Sequence, residues 1–229
     1  MITTVLMDYD GTLHDLEGVT IRMLDGATDL TGEQLYHNWK YRVHRDLIHT
    51  RHLDRHDDTH FHCQLLFKVL GRPYNKETAD DICARFEEST RLARTAPTYF
   101  PDAIPALDRI KEAGLTLCLS TGTGAEEKAE TLARATGRRH FDHVFSEPKL
   151  GYLKTEKEYY TLALRETGSQ PNETASIGDT PLSDIRPAKL AGIQTVWLNR
   201  RGEPTPADPE QRAHHEAADL KEALNALGI

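Results

Sequence analysis

From Pro101 onward the chain alternates two periodicities, and this alternation narrows the fold more than any other feature. Residues 103–113 read as a helix stopped by Gly114, residues 115–119 as a strand, and residues 125–136 as a helix ending at Gly137. A short strand follows at 143–145, then a helix over 156–166, a strand over 174–177, a helix through 185–190 and a strand over 193–198. Strands separated by helices cannot pair as hairpins, and the crossovers make neighbours parallel. Residues 2–7 add a β-branched apolar strand near the start. The expected fold class is therefore α/β, with a doubly wound parallel sheet.

Between that first strand and Pro101 the pattern changes. Residues 31–95 carry long helical stretches with little β-branched enrichment, broken at Gly71-Arg72-Pro73. The organisation predicted is a core of residues 1–13 and 97–229 with a helical insertion over 14–96. The proline-rich stretch 203–209 reads as a stiff loop before a last amphipathic helix over 218–227.

Composition excludes several classes. The formal charge is −8, and no apolar run approaches the roughly 18 residues that span a bilayer. Neither wholesale nucleic-acid binding nor a membrane partner is expected. The start of the chain runs into Asp8 without a basic flank or cleavage site, so a cytoplasmic location is expected. Cys63, Cys83 and Cys118 are odd in number, far apart in sequence and without CxxC spacing, which predicts neither a disulfide framework nor a thiolate zinc site.

In an open parallel sheet, the loops after different strands meet along one edge. Three polar clusters fall at such ends: Asp8 and Asp10, Ser120 and Thr121, and Asp179 and Asp184. Crowded carboxylates repel unless a hard cation joins them, and an all-oxygen donor set favours magnesium over zinc. A lysine, Lys154 or Lys149, would add charge for phosphoryl oxygens, with Ser120 as a hydrogen-bond donor. The collection suits phosphoryl transfer.

These residues resemble the haloacid dehalogenase superfamily of hydrolases, in its phosphatase form. Asp8-Tyr9-Asp10-Gly11-Thr12-Leu13 is similar to its first motif, Ser120 to its second, Lys154 to its third, and Gly178-Asp179-Thr180-Pro181-Leu182-Ser183-Asp184 to its fourth. The resemblance spans nearly the whole chain and implies a Rossmann-like core with a small α-helical cap inserted after the first motif. Hinges are then expected at 13–16 and 99–102. Thr121 and Thr155 stand where the family usually has another polar residue and a proline.

The resemblance implies that Asp8 is the nucleophile, forming an aspartyl phosphate that water hydrolyses, with Asp10 as acid and then base. Ser120, Thr121, Gly122 and Lys154 would bind the phosphoryl group. Magnesium would be held by Asp8, Asp179 and the Asp10 backbone carbonyl, with Asp184 a ligand or a partner to bound water or Lys154. The dehalogenases that name the family lack the second aspartate, so Asp10 favours phosphate esters. The expected partner is a small phosphorylated metabolite, acted on by a monomer or homodimer.

Plainer readings stand beside these. Asp8, Asp10 and Asp179 are also turn residues, and Ser120 is also a helix cap. The insertion holds His37, His44, His49, His52, His56, His60 and His62, and His52, His56 and His60 would share a face if one helix carried them. Arginine and aspartate interleave with them, so a solvated surface is the better reading than a metal site. Arg42, His44, Arg45 and Arg51 would offer cations to an anionic substrate. Trp39, Tyr36 and Phe61 are expected in the insertion's core, and Cys118 in a buried strand. The rivals to a phosphatase are a phosphomutase, a 2-haloacid dehalogenase and a binding protein without catalysis.

Overall fold

The structure is a computed structural model that describes residues 1–55 and 58–229, with the side chains of His49, Leu53 and Arg94 left aside. The chain divides into two compact units, Met1–Asp15 with Tyr99–Ile229, and Leu16–Thr98.

The first unit is built on a six-stranded sheet: β1 (Thr4–Met7), β2 (Thr116–Ser120), β3 (His143–Phe145), β4 (Thr174–Gly178), β5 (Gln194–Leu198) and β6 (His215–Ala217). All neighbours are parallel in the order β3-β2-β1-β4-β5-β6, so the chain winds outward in both directions from β1. β1 is buried at every position, as a central strand covered on both faces must be. One apolar cluster joins Val5 and Met7 to Leu107, Leu119, Ile177, Val196 and Leu224. Another joins Leu6 and Cys118 to Phe145, Tyr159 and Tyr160. Successive residues of β1 thus feed opposite faces. Cys118 is fully buried, and burial pushes its thiol up to about 12.

β6 is an addition to the sequence reading, which places a loop over 203–209 and a helix from 218 and assigns no strand between them. Its three residues, His-Glu-Ala, carry one buried side chain and no alternation that a pattern search detects. Pairing with β5 through Val196, Trp197 and Leu198 makes them a strand. The last helix is Leu220–Ala226, capped by the Asp219 carboxylate accepting from Glu222 N at 2.7 Å.

The second unit is helical. It contains Leu16–Leu24, Gly32–His37, a wider π-helical segment Asn38–Ile48, and the long helices Thr59–Val69 and Lys76–Thr95. Thr31 and Gln34 form a reciprocal capping box at the second of these. Trp39 lies in the buried cluster with Leu35, Val43, Leu66 and Ile82, and stacks on Phe86 with ring centres 4.2 Å apart. Tyr36 and Phe61 pack against that cluster half-buried.

The structure bears on one conditional reading of this unit. His52 and His60 do not share a helix, because the chain leaves helical geometry at His52 and a new helix begins at Thr59. His56 lies outside the described residues. Cys63 and Cys83, distant in sequence, place their Sγ atoms 3.5 Å apart across two packed helices, both as free thiols. Burial pushes the Cys63 thiol above its ordinary range. Among the described residues, no helix is long and apolar enough to cross a membrane.

Candidate active site

The carboxyl ends of β1, β2 and β4 bring the predicted residues together within the first unit. Met7 is in register with both Leu119 and Ile177, so Asp8, Ser120 and Gly178 leave the sheet side by side. Asp8 N donates to Ile177 O at 3.0 Å, which extends the ladder to the first motif residue. A tight turn follows, in which Leu13 and His14 N–H groups both donate to Tyr9 O and Gly11 N donates to His14 O.

Asp8, Asp179 and Asp184 offer carboxylate oxygens that all lie within 4.8 Å of one another. Lys154, the residue predicted over Lys149, reaches into this group. Its Nζ donates to Asp8 Oδ1 at 2.5 Å and makes an ion contact with Asp184 Oδ1 at 2.6 Å. Lys149 instead donates to Val144 O at 2.7 Å on the exposed side of its short helix. Lys154 is held from behind, since its backbone N donates to Glu147 Oε1 at 2.8 Å.

Burial pushes the Asp8 carboxyl up to about 6, with the Asp184 charge adding to that rise and Lys154 opposing it. Burial alone would lower the Lys154 ammonium, but Asp184 and Asp8 outweigh it and hold the lysine charged well above its ordinary value. Two carboxylates contact the ammonium and the half-buried Asp179 lies within 4.8 Å of them, so the cluster carries excess negative charge. That donor set fits a hard divalent cation.

The glycines show how closely the parts approach. Gly11 has φ +80°, and a Cβ there would collide with the Asp179 carboxylate. A Cβ on Gly178 would collide with the Asp184 side chain. Asp184 is oriented by Thr180 N, which donates to its Oδ2 at 2.9 Å, and Asp179 O accepts from Trp197 Nε1 at 2.9 Å. Gly11→Ala therefore strains the backbone by about 1–2 kcal/mol and displaces Asp179. We expect calorimetric titration to show divalent-cation affinity reduced by about 10–100-fold, as for loss of a ligand's support. Unchanged affinity would separate Asp179 from the cation site.

Ser120 is fully buried at the end of β2, with its Oγ 3.3 Å from Tyr159 OH. Tyr159 OH in turn donates to Phe145 O at 3.1 Å. Thr121 N donates to the same carbonyl, and Gly122 O accepts from Glu147 N at 2.9 Å. The segment 120–122 is thus tied to the strand beside it and to the helix that carries Lys154's support.

Asp10 lies beside this cluster but is gripped separately. His14 Nδ1 is 2.9 Å from its Oδ1, and Lys128 Nζ donates to its Oδ2 at 2.7 Å and to Thr121 Oγ1 at 2.8 Å. Burial works to raise the Asp10 carboxyl, but the His14 and Lys128 hydrogen bonds prevail and hold it at about 2. Neither His14 nor Lys128 was singled out by sequence. Lys128 did carry a signal: a cation near the N-terminal turn of the helix Ala125–Thr136 opposes the helix dipole, and such a residue needs a local anion.

The arrangement can hold a divalent cation, present a carboxylate oxygen next to it, and place a second carboxylate two residues away. Known proteins resemble this chain in sequence and fold. The family described as haloacid dehalogenase-like hydrolase matches residues 2–192. A phosphoserine phosphatase of Thermus thermophilus is 34% identical over 61% of this chain and 55% of its own length, so the chain spans about half of that relative. A glyceraldehyde 3-phosphate phosphatase of Methanopyrus kandleri is 32% identical over 87% of this chain and 85% of its own. In fold, a magnesium-bound hydrolase of Bacillus subtilis superposes with TM-score 0.71 at 22% identity, over 100% of this chain and 99% of that one. An L-2-haloacid dehalogenase superposes with TM-score 0.72 at 24% identity, over 100% and 99% of the two chains. With a match across most of its length and motif residues gathered at one sheet edge, this chain belongs to the haloacid dehalogenase-like hydrolases.

Proposed function

We propose that this hydrolase is a magnesium-dependent phosphatase of small phosphate monoesters, working through an aspartyl phosphate. The observation that carries the reading is the convergence of Asp8, Asp179 and Asp184 oxygens within 4.8 Å of one another, with the Lys154 ammonium on Asp8 and Asp184. Magnesium held by those oxygens and the Asp10 carbonyl would supply the positive charge that keeps Asp8 ionised and offsets charge on the transferring group.

Asp8 attacks phosphorus and displaces the ester oxygen; Asp10, which His14 and Lys128 hold ionised in the free site, takes up the proton that the substrate monoanion brings and passes it to that oxygen. Asp10 then takes a proton from the water that opens the acyl phosphate, which splits one displacement into two. Lys154 faces Asp8 and neutralises phosphoryl oxygens, and Ser120 turns its hydroxyl from Tyr159 to one of them. Thr121 and Gly122 line the same strand end. Asp184 holds Lys154 and would offer an oxygen to the cation.

Asp10 favours this reading over dehalogenation, which has no leaving oxygen to protonate. The relatives named above act on phosphoserine and glyceraldehyde 3-phosphate, both short primary alkyl phosphates, and we assign the same substrate class here. The test is phosphate release from O-phosphoserine, glyceraldehyde 3-phosphate, phosphoglycolate, sugar phosphates and nucleotides, with magnesium or with chelator. Release with magnesium that chelation abolishes is expected. Halide release from 2-chloropropionate without magnesium, or transfer of phosphate to an isomer in place of water, would overturn it.

A further inference from the structure

Asp10 is fixed on both carboxylate oxygens by groups outside the four motifs. His14 Nδ1 is 2.9 Å from Oδ1, and Lys128 Nζ is 2.7 Å from Oδ2. The His14 ring is fully buried between Tyr9 and Tyr99, with ring centres 5.7 and 6.4 Å away, and its Nε2 has no hydrogen-bond partner. With a proton on Nδ1 the ring donates to Asp10. Tyr9 OH and Tyr99 OH bond each other at 2.9 Å, which closes the wall behind the ring. Lys128 is tethered in turn by Thr121 Oγ1 at 2.8 Å and lies 5.4 Å over the Tyr9 ring.

These contacts come from Asp10's own turn, from the end of β2 and from the helix Ala125–Thr136, so they remove the carboxylate's rotational freedom. They leave it work to do. A carboxylate oxygen has two lone pairs, and His14 and Lys128 each occupy one, so each oxygen keeps a free direction for a leaving group or water. A proton donor must come within about 2.6–3.2 Å of its acceptor, and a displacement of about 1 Å costs on the order of 10²-fold in rate. We propose that His14 and Lys128 are positioning residues that aim Asp10 at the leaving-group oxygen. This rests on the reading of Asp10 as acid and base.

The distinguishing measurement is leaving-group dependence of kcat/KM, which reports only steps up to the first departure. Nitrophenolate leaves without a proton, whereas an alkoxide needs one. For Lys128→Met and for His14→Phe, kcat/KM with a primary alkyl phosphate should fall by about 10–100-fold, while p-nitrophenyl phosphate falls by less than about threefold. Lys128→Arg, which keeps a donor, should recover part of the alkyl loss. Adding Lys128→Met to Asp10→Asn should cost nothing further, as expected for residues acting as one unit. Should His14→Phe fail to fold, half-exposed substitution at Lys128 still decides.

Equal losses on both substrates, or none, in Lys128→Met would overturn the proposal while an alkyl-selective loss in Asp10→Asn kept the acid–base reading intact. If Asp10→Asn itself showed no alkyl selectivity, the acid–base reading would fall and the positioning role with it.

Discussion

Asp8→Asn is expected to eliminate turnover, by on the order of 10⁴–10⁶-fold, in a chain that stays folded. The amide has the shape of the carboxylate but cannot displace an ester oxygen, so no acyl phosphate forms. Its carbonyl oxygen can still accept from Lys154, which now sits 2.5 Å from Asp8 Oδ1. Removing one of the crowded carboxylates also relieves the repulsion from Asp184 that helps raise Asp8. The thermal midpoint should therefore match or exceed that of the wild type. Single-turnover phosphate release and a melting curve on the same preparation check both halves. A residual rate above a tenth of wild type would assign the nucleophile elsewhere.

Lys154→Met should damage stability and activity together. The substitution keeps the length of the stem but removes the ammonium from between Asp8 and Asp184, whose side chains are 11% and 2% exposed. Breaking a buried ion cluster on one side strands the other charges, at a cost of about 3–5 kcal/mol. For a chain of 229 residues each kcal/mol moves the midpoint by roughly 2–4 °C, so a fall of about 6–20 °C is expected, with phosphate release lost. Denaturant unfolding at constant m-value measures the deficit. A loss below about 1 kcal/mol would mean that the lysine does not carry the charge balance of the site. Lys149→Met is the natural comparison, because that side chain bonds a carbonyl at the surface and no carboxylate of the cluster. It should stay close to wild type.

Much of the core was legible because periodicity and position both report it. The alternation after Pro101 predicts parallel strands, and the polar residues at the ends of β1, β2 and β4 meet because register places those ends level. β6 was not legible, since three mostly polar residues become a strand only when β5 offers them an open edge. The histidine spacing at 52, 56 and 60 shows the complementary limit. Helical periodicity in a sequence says nothing of whether one helix runs through it, and here the chain breaks at His52.

Sequence alone pointed to the α/β class, to a helical insertion and to Asp8, Asp10, Ser120, Asp179 and Asp184, because these are local patterns or residues at strand ends, and by family resemblance to Lys154 ahead of Lys149. Tertiary structure decided which lysine meets the carboxylates, that Asp184 orients and neutralises it, that Cys63 adjoins Cys83, and that His14 and Lys128 grip Asp10. Those are pairings across long stretches of chain, and they depend on how helices settle against the sheet and each other. Side-chain chemistry restricts what each residue can do, but only packing sets the few ångströms that choose its partner.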